Sequence, residues 1–115
     1  MEIKQRQTGS GNTVVELEGM LVLGRESQRV ESTVEKLVQD GKKKVIVDLT
    51  KVSYVDSSGI GILVGSFGHC KRGGGVMRLT GVRDNILKIM KVTRVDQVLH
   101  VDASLEEAER KLGET

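Results

Sequence analysis

Residues 45–47 read Val-Ile-Val, an unbroken run of β-branched apolar side chains. A strand with one wet face alternates apolar and polar residues, so a run of this kind belongs to a strand covered on both sides. Strands of that type sit in parallel sheets, whose neighbours are joined by crossovers long enough to carry a helix. The run therefore points to an α/β architecture with the 44–49 strand near the centre of its sheet. The flanking patterns agree. Residues 2–7 alternate polar and apolar positions, and the same period resumes at Val14-Val15-Glu16-Leu17-Glu18 after the turn residues Gly9-Ser10-Gly11-Asn12. Val30, Val34, Leu37 and Val38 then recur at helical spacing, with Gly41 placed to end the helix.

The alternation continues to the end of the chain. Ile60, Leu63, Val64, Phe67 and Cys70 fit a helical stripe that stops at Gly73-Gly74-Gly75, and Val76–Thr80 is a short strand. Val82, Ile86, Ile89 and Met90 mark a third helix, and Val98–Val101 a last strand. Ser104-Leu105-Glu106-Glu107 is a capping box opening a fourth helix. The predicted order is ββαβαβαβα: about five strands, mostly parallel, with about four helices, linked by right-handed crossovers. The 115 residues suit one domain over 1–115 that needs no disulfide or metal to fold.

Composition removes several classes of function. A formal charge of +2 gives no bulk attraction to nucleic acid or membrane, and an aromatic content of 2% leaves no stacking platform for single strands. Ile60–Cys70, the longest apolar stretch, is about half a membrane span and is broken by glycine and histidine. The start shows no secretory pattern and Cys70 has no disulfide partner, so a cytoplasmic location is expected. Neither His69 nor His100 has clustered ligands, and no metal or other cofactor is expected. Cys70 reads as a small core residue. Lys42-Lys43-Lys44 is either a solvated turn or a contact for an acidic partner.

The chemistry-bearing stretch is Asp56-Ser57-Ser58-Gly59-Ile60-Gly61, where the strand from Val45 passes through a β-type loop into a helix. A helix amino end at such a corner offers unpaired N–H groups and favours anions. Two readings stand here: Asp and Ser are the preferred N-caps, or the turn presents a serine. The glycines Gly59, Gly61, Gly65 and Gly68 in one helix each cost up to about 1 kcal/mol relative to alanine and call for a reason. Close helix-to-sheet packing is expected at Gly61, Gly65 and Gly68, and Gly59 is expected to leave the surface around Ser58 free. The glycine spacing fails as a dinucleotide fingerprint, and Asp56 breaks the nucleophile-elbow pattern, so a nucleotide-binding or hydrolytic enzyme is the least supported class.

Asp56-Ser57-Ser58-Gly59, following Val45-Ile46-Val47-Asp48-Leu49, resembles the signature of the STAS domain, in particular of bacterial anti-sigma-factor antagonists. The element order resembles that family over nearly the whole chain. The resemblance implies a non-enzymatic, phosphorylation-gated switch. Its acceptor would be Ser58, flanked by the motif residues Asp56, Ser57 and Gly59. Its partners would be an anti-sigma factor with serine-kinase activity and a PP2C-type phosphatase, and the unmodified protein would bind the anti-sigma factor and free a sigma factor. Met20, Leu21, Val22, Ser57, Ser58, Ile60 and Gly61 are the expected docking residues, on a monomer or weak dimer. One departure stands out: such antagonists carry Gly-Glu-apolar-Asp after the second strand, where this chain has Gly19-Met20-Leu21-Val22 without either acid. The 20–23 run is then either an apolar docking patch or core. The alternative within the family is a STAS scaffold or subunit of a stress-sensing or lipid-transport complex, with Ser58 structural.

Overall fold

The computed structural model describes residues 1–114. Its sheet contains β1 (Glu2–Gln7), β2 (Thr13–Leu21), β3 (Lys44–Val55), β4 (Val76–Thr80) and β5 (His100–Asp102), side by side in chain order. The first two strands form an antiparallel hairpin, and every later pairing is parallel. Helices α1 (Arg25–Gln39), α2 (Ser57–Arg72) and α3 (Asp84–Val92) each bridge one parallel step. Successive right-handed crossovers that step the same way lay their helices on one face of the sheet. Helix α4 (Leu105–Gly113) follows β5 and covers part of the opposite face.

This layering explains the opening feature of the sequence. Val45 and Val47 face the main core with Val15, Leu17, Val30, Val34 and Leu63, while Ile46 joins Val14, Ala108 and Leu112 under α4. All three residues of the 45–47 run are fully buried, as a strand covered on both sides requires. Helix α1 ends as expected, with Gly41 at φ 86° and the Lys42 N–H donating to the Leu37 carbonyl.

Two local expectations are corrected. No loop separates the 45–49 run from the Asp56 turn: β3 continues through Thr50–Ser53 to Val55, because β2 also runs on to Leu21 and pairs with it. That pairing absorbs two register shifts, one beside Gly19 at φ 114°. At the far edge, Val95–Gln97 forms a short 3₁₀ turn, so β5 starts at His100 and Val98 lies outside it, 44% exposed. Among the described residues no helix is long and apolar enough to cross a membrane.

Candidate functional site

At the carboxyl ends of β2 and β3 the chain makes a strand-to-helix corner. Val55 is buried, and Asp56 follows in extended backbone as the N-cap of α2. Its carboxylate does two things. One oxygen accepts from the Gly59 N–H at 2.8 Å, which is the expected N-cap bond, and the other accepts from the Leu23 N–H at 3.2 Å. The Asp56 N–H in turn donates to the Leu21 carbonyl at 3.3 Å. The neighbouring Val22 N–H donates to the buried Ser27 hydroxyl at 3.3 Å. The 21–23 segment is thus tied to the start of α2 by the Asp56 carboxylate and to α1 by the Ser27 hydroxyl.

The two serines are not equivalent. Ser57 is exposed and Ser58 half-buried. Neither backbone N–H has a partner within the described chain, so both are available to an anion at this helix end. Ser57 also lines an open groove of about 430 Å³ with Tyr54, Asp56, Ile60, Ile89 and Thr93, whose lining contains no cation. On the other flank stand Met20 and Leu23, 55% and 75% exposed. Met20 is the register partner of Tyr54, itself 48% exposed, so the apolar side chains form a rim around the Ser57 corner.

The glycine expectations reverse. A Cβ on Gly59 would overlap the Leu21 carbonyl oxygen and come within 2.8 Å of Val55 Cγ1. Gly59 is therefore buried for close packing of α2 against the end of β2 and does not keep a surface clear. Gly61 is the exposed one, with open space where its side chain would be. Gly65 accommodates the Glu31 carboxylate of α1, and Gly68 the Arg72 guanidinium of its own helix, so neither serves packing on the sheet.

Two expected docking residues are also corrected. Leu21 is fully buried and Ile60 is 6% exposed, because both point from the ends of their elements into the core between β2, β3 and α2. Val22 is half-buried; Met20, Ser57 and Gly61 are exposed as expected. The sequence reading missed Tyr54, Ile89 and Thr93. Tyr54, the lone tyrosine and two residues before Asp56, was the available signal.

The remaining reactive groups serve structure. His69 places its two ring nitrogens 3.1 Å from Glu31 and from Glu35, fastening α2 to α1. Cys70 is buried, and burial pushes its thiol up to about 11. Among the described residues no cluster of His, Cys, Asp and Glu could hold a metal.

Residues 3–108 match the profile of the STAS domain. The anti-sigma-B factor antagonist of Staphylococcus aureus (strain NCTC 8325 / PS 47) is 30% identical over 77 residues, covering 67% of this chain and 71% of that one. The fold is also similar to that of an anti-sigma factor antagonist from Mycobacterium paratuberculosis, with TM-score 0.81, 17% identity and coverage of 97% and 93%. The Bacillus cell fate determinant SpoIIAA in its phosphorylated form has TM-score 0.70 at 18% identity, with coverage of 96% and 98%.

Proposed function

The chain belongs to the STAS domain family, and on that premise we propose that it is an anti-sigma-factor antagonist whose docking face is the apolar rim around the Asp56–Gly59 turn, switched by phosphorylation of a serine in that turn. The unmodified protein sequesters an anti-sigma factor and so frees a sigma factor. The anti-sigma factor, acting as a serine kinase, transfers the γ-phosphoryl group of ATP to the hydroxyl oxygen and releases ADP. A PP2C-type phosphatase returns the serine by hydrolysis. The protein itself catalyses neither step.

The observation that carries this reading is an exposed serine beside unpaired amides, flanked by the exposed apolar side chains of Met20, Leu23 and Tyr54. Exposure favours Ser57 as the acceptor over the Ser58 expected from the motif, and Ser58 is the second candidate. A phosphate adds about −1.5 to −2 charges, which the first turn of a helix tolerates by roughly 0.3–1 kcal/mol. The fold is therefore kept in both forms. Burying the same charge under a partner is different: the groove offers no cation, Asp56 lies alongside, and a penalty of about 4 kcal/mol is a thousandfold in affinity. Met20 and Val22, where the family carries acids, make the contact apolar.

The test uses the anti-sigma factor encoded with this protein. Incubation with ATP should add one phosphate that maps to Ser57, be abolished by Ser57→Ala and survive Ser58→Ala; the reverse pattern moves the acceptor to Ser58. Ser57→Asp should abolish binding while Ser57→Ala keeps it. Binding indifferent to acidic substitution at both serines overturns the switch and leaves the scaffold role.

A further inference from the structure

We propose that the open edge of β1, with the groove between it and α1, is a second docking site that takes an extended acidic segment of a partner protein as an added strand. The site is separate from the Ser57 rim, and the inference does not rest on the proposed switch.

Among the described residues strand β1 pairs only with β2, so its outer side presents the unpaired backbone donors and acceptors on which an added strand can form. Beside that edge lies a groove of about 280 Å³ between the strand and α1. Gln5 contributes from β1; Arg29, Ser32, Thr33, Lys36 and Asp40 from α1 and its end; Lys42 from the following turn; and buried Leu37 forms the floor. An edge strand next to a helix is the geometry in which an added strand gains backbone bonds on one side and side-chain contacts from the helix on the other.

Charge selects the occupant. Ile3 packs into the core and Gln5 lines the groove, so the odd positions of β1 face α1 and the even positions, Glu2, Lys4 and Arg6, face the other way. A strand laid along this edge turns every second side chain toward the helix, where Arg29, Lys36 and Lys42 stand, and the others over a reverse face on which Lys4 and Arg6 are offset by Glu2 and by Glu16 and Glu18 across on β2. On the helix side three cations stand against one carboxylate, Asp40, so acidic side chains of the added strand are expected to face α1 and apolar ones the reverse. Among the described residues only Lys36 of the three is in an ion pair, with Asp40 at 3.5 Å on the exposed surface. The Lys42–Lys44 turn, open in the sequence to an acidic partner, supplies one wall.

The probe is a fluorescein-labelled peptide alternating Glu with Val, compared with a Lys–Val peptide of equal length. Fluorescence anisotropy should show binding of the acidic peptide alone, weakened at least about tenfold on raising salt to about 0.5 M. The double charge reversal Arg29→Glu, Lys36→Glu, at exposed positions, should abolish binding with an unchanged circular dichroism spectrum. Backbone amide shifts in the two-dimensional NMR spectrum should concentrate on residues 2–7 and 29–42. Equal binding of the basic peptide, shifts centred on the Ser57 corner, or no binding of the acidic peptide overturns the proposal. A concentration-dependent doubling of mass without peptide assigns the edge to a second copy and also overturns it.

Discussion

Gly59 and Gly61 lie two residues apart, on nearly opposite sides of one helix, and have opposite requirements. A methyl at 59 must displace the Leu21 carbonyl or break the Asp56 cap, so Gly59→Ala is expected to destabilise the protein by about 2–3 kcal/mol. A methyl at 61 meets nothing, and the better helix former should stabilise by up to about 1 kcal/mol. Urea unfolding of the two variants checks both signs, and equal shifts would contradict the packing described. Asp56→Ala removes an N-cap worth about 0.5–2 kcal/mol and also releases the Leu23 amide, whereas Asp56→Asn keeps an acceptor and should recover most of the loss. The motif alone identified Asp56 as a cap. Its second bond, to a residue 33 positions away in the chain, depends on how β2 and β3 pair and leaves no local trace.

Helix α4 shows the same division between local and long-range information. Its start was legible, and Ser104 Oγ accepts from the Glu107 N–H at 3.1 Å. Which face it covers was not legible, because that is decided by Asp102 at the end of β5. This buried carboxylate meets Arg78 of β4 at 2.5 and 3.0 Å and Lys111 of α4 at 3.2 Å. Burial alone would raise its pKa, but the hydrogen bonds and charges of Arg78 and Lys111 outweigh burial and hold it below the usual range. A folded value below the unfolded one contributes stability above about pH 4, and this is lost as pH falls through the folded value. Arg78→Met should cost about 3 kcal/mol at neutral pH and move the acid-unfolding midpoint upward, as circular dichroism during acid titration would show. An unchanged midpoint would mean that α4 is held by Val14, Ile46, Ala108 and Leu112 alone. Strand β3 was legible only as far as its apolar run. Thr50–Ser53 mixes polar and apolar residues, and only pairing with β2 across the register shifts keeps it extended.

Across the whole molecule, the two proposed surfaces differ in kind. The rim of Met20, Leu23 and Tyr54 should bind its partner with little dependence on salt, and the β1 edge with a strong one. Isothermal titration of each interaction at low and high ionic strength separates them. Cys70 offers an independent measure of global opening. With the thiol inside the core and pushed up to about 11, a thiol reagent should label it no faster than the slowest-exchanging amides, and labelling within seconds in native buffer would contradict that burial. The corner around Asp56 has a kinetic corollary. One carboxylate grips both banks of the proposed docking surface, so the free protein already holds that surface in shape, and encounter leaves little loop freedom to surrender. Such a preset face captures and lets go without reorganising, and the lifetime of the complex then rests with whatever charge the exposed serine bears.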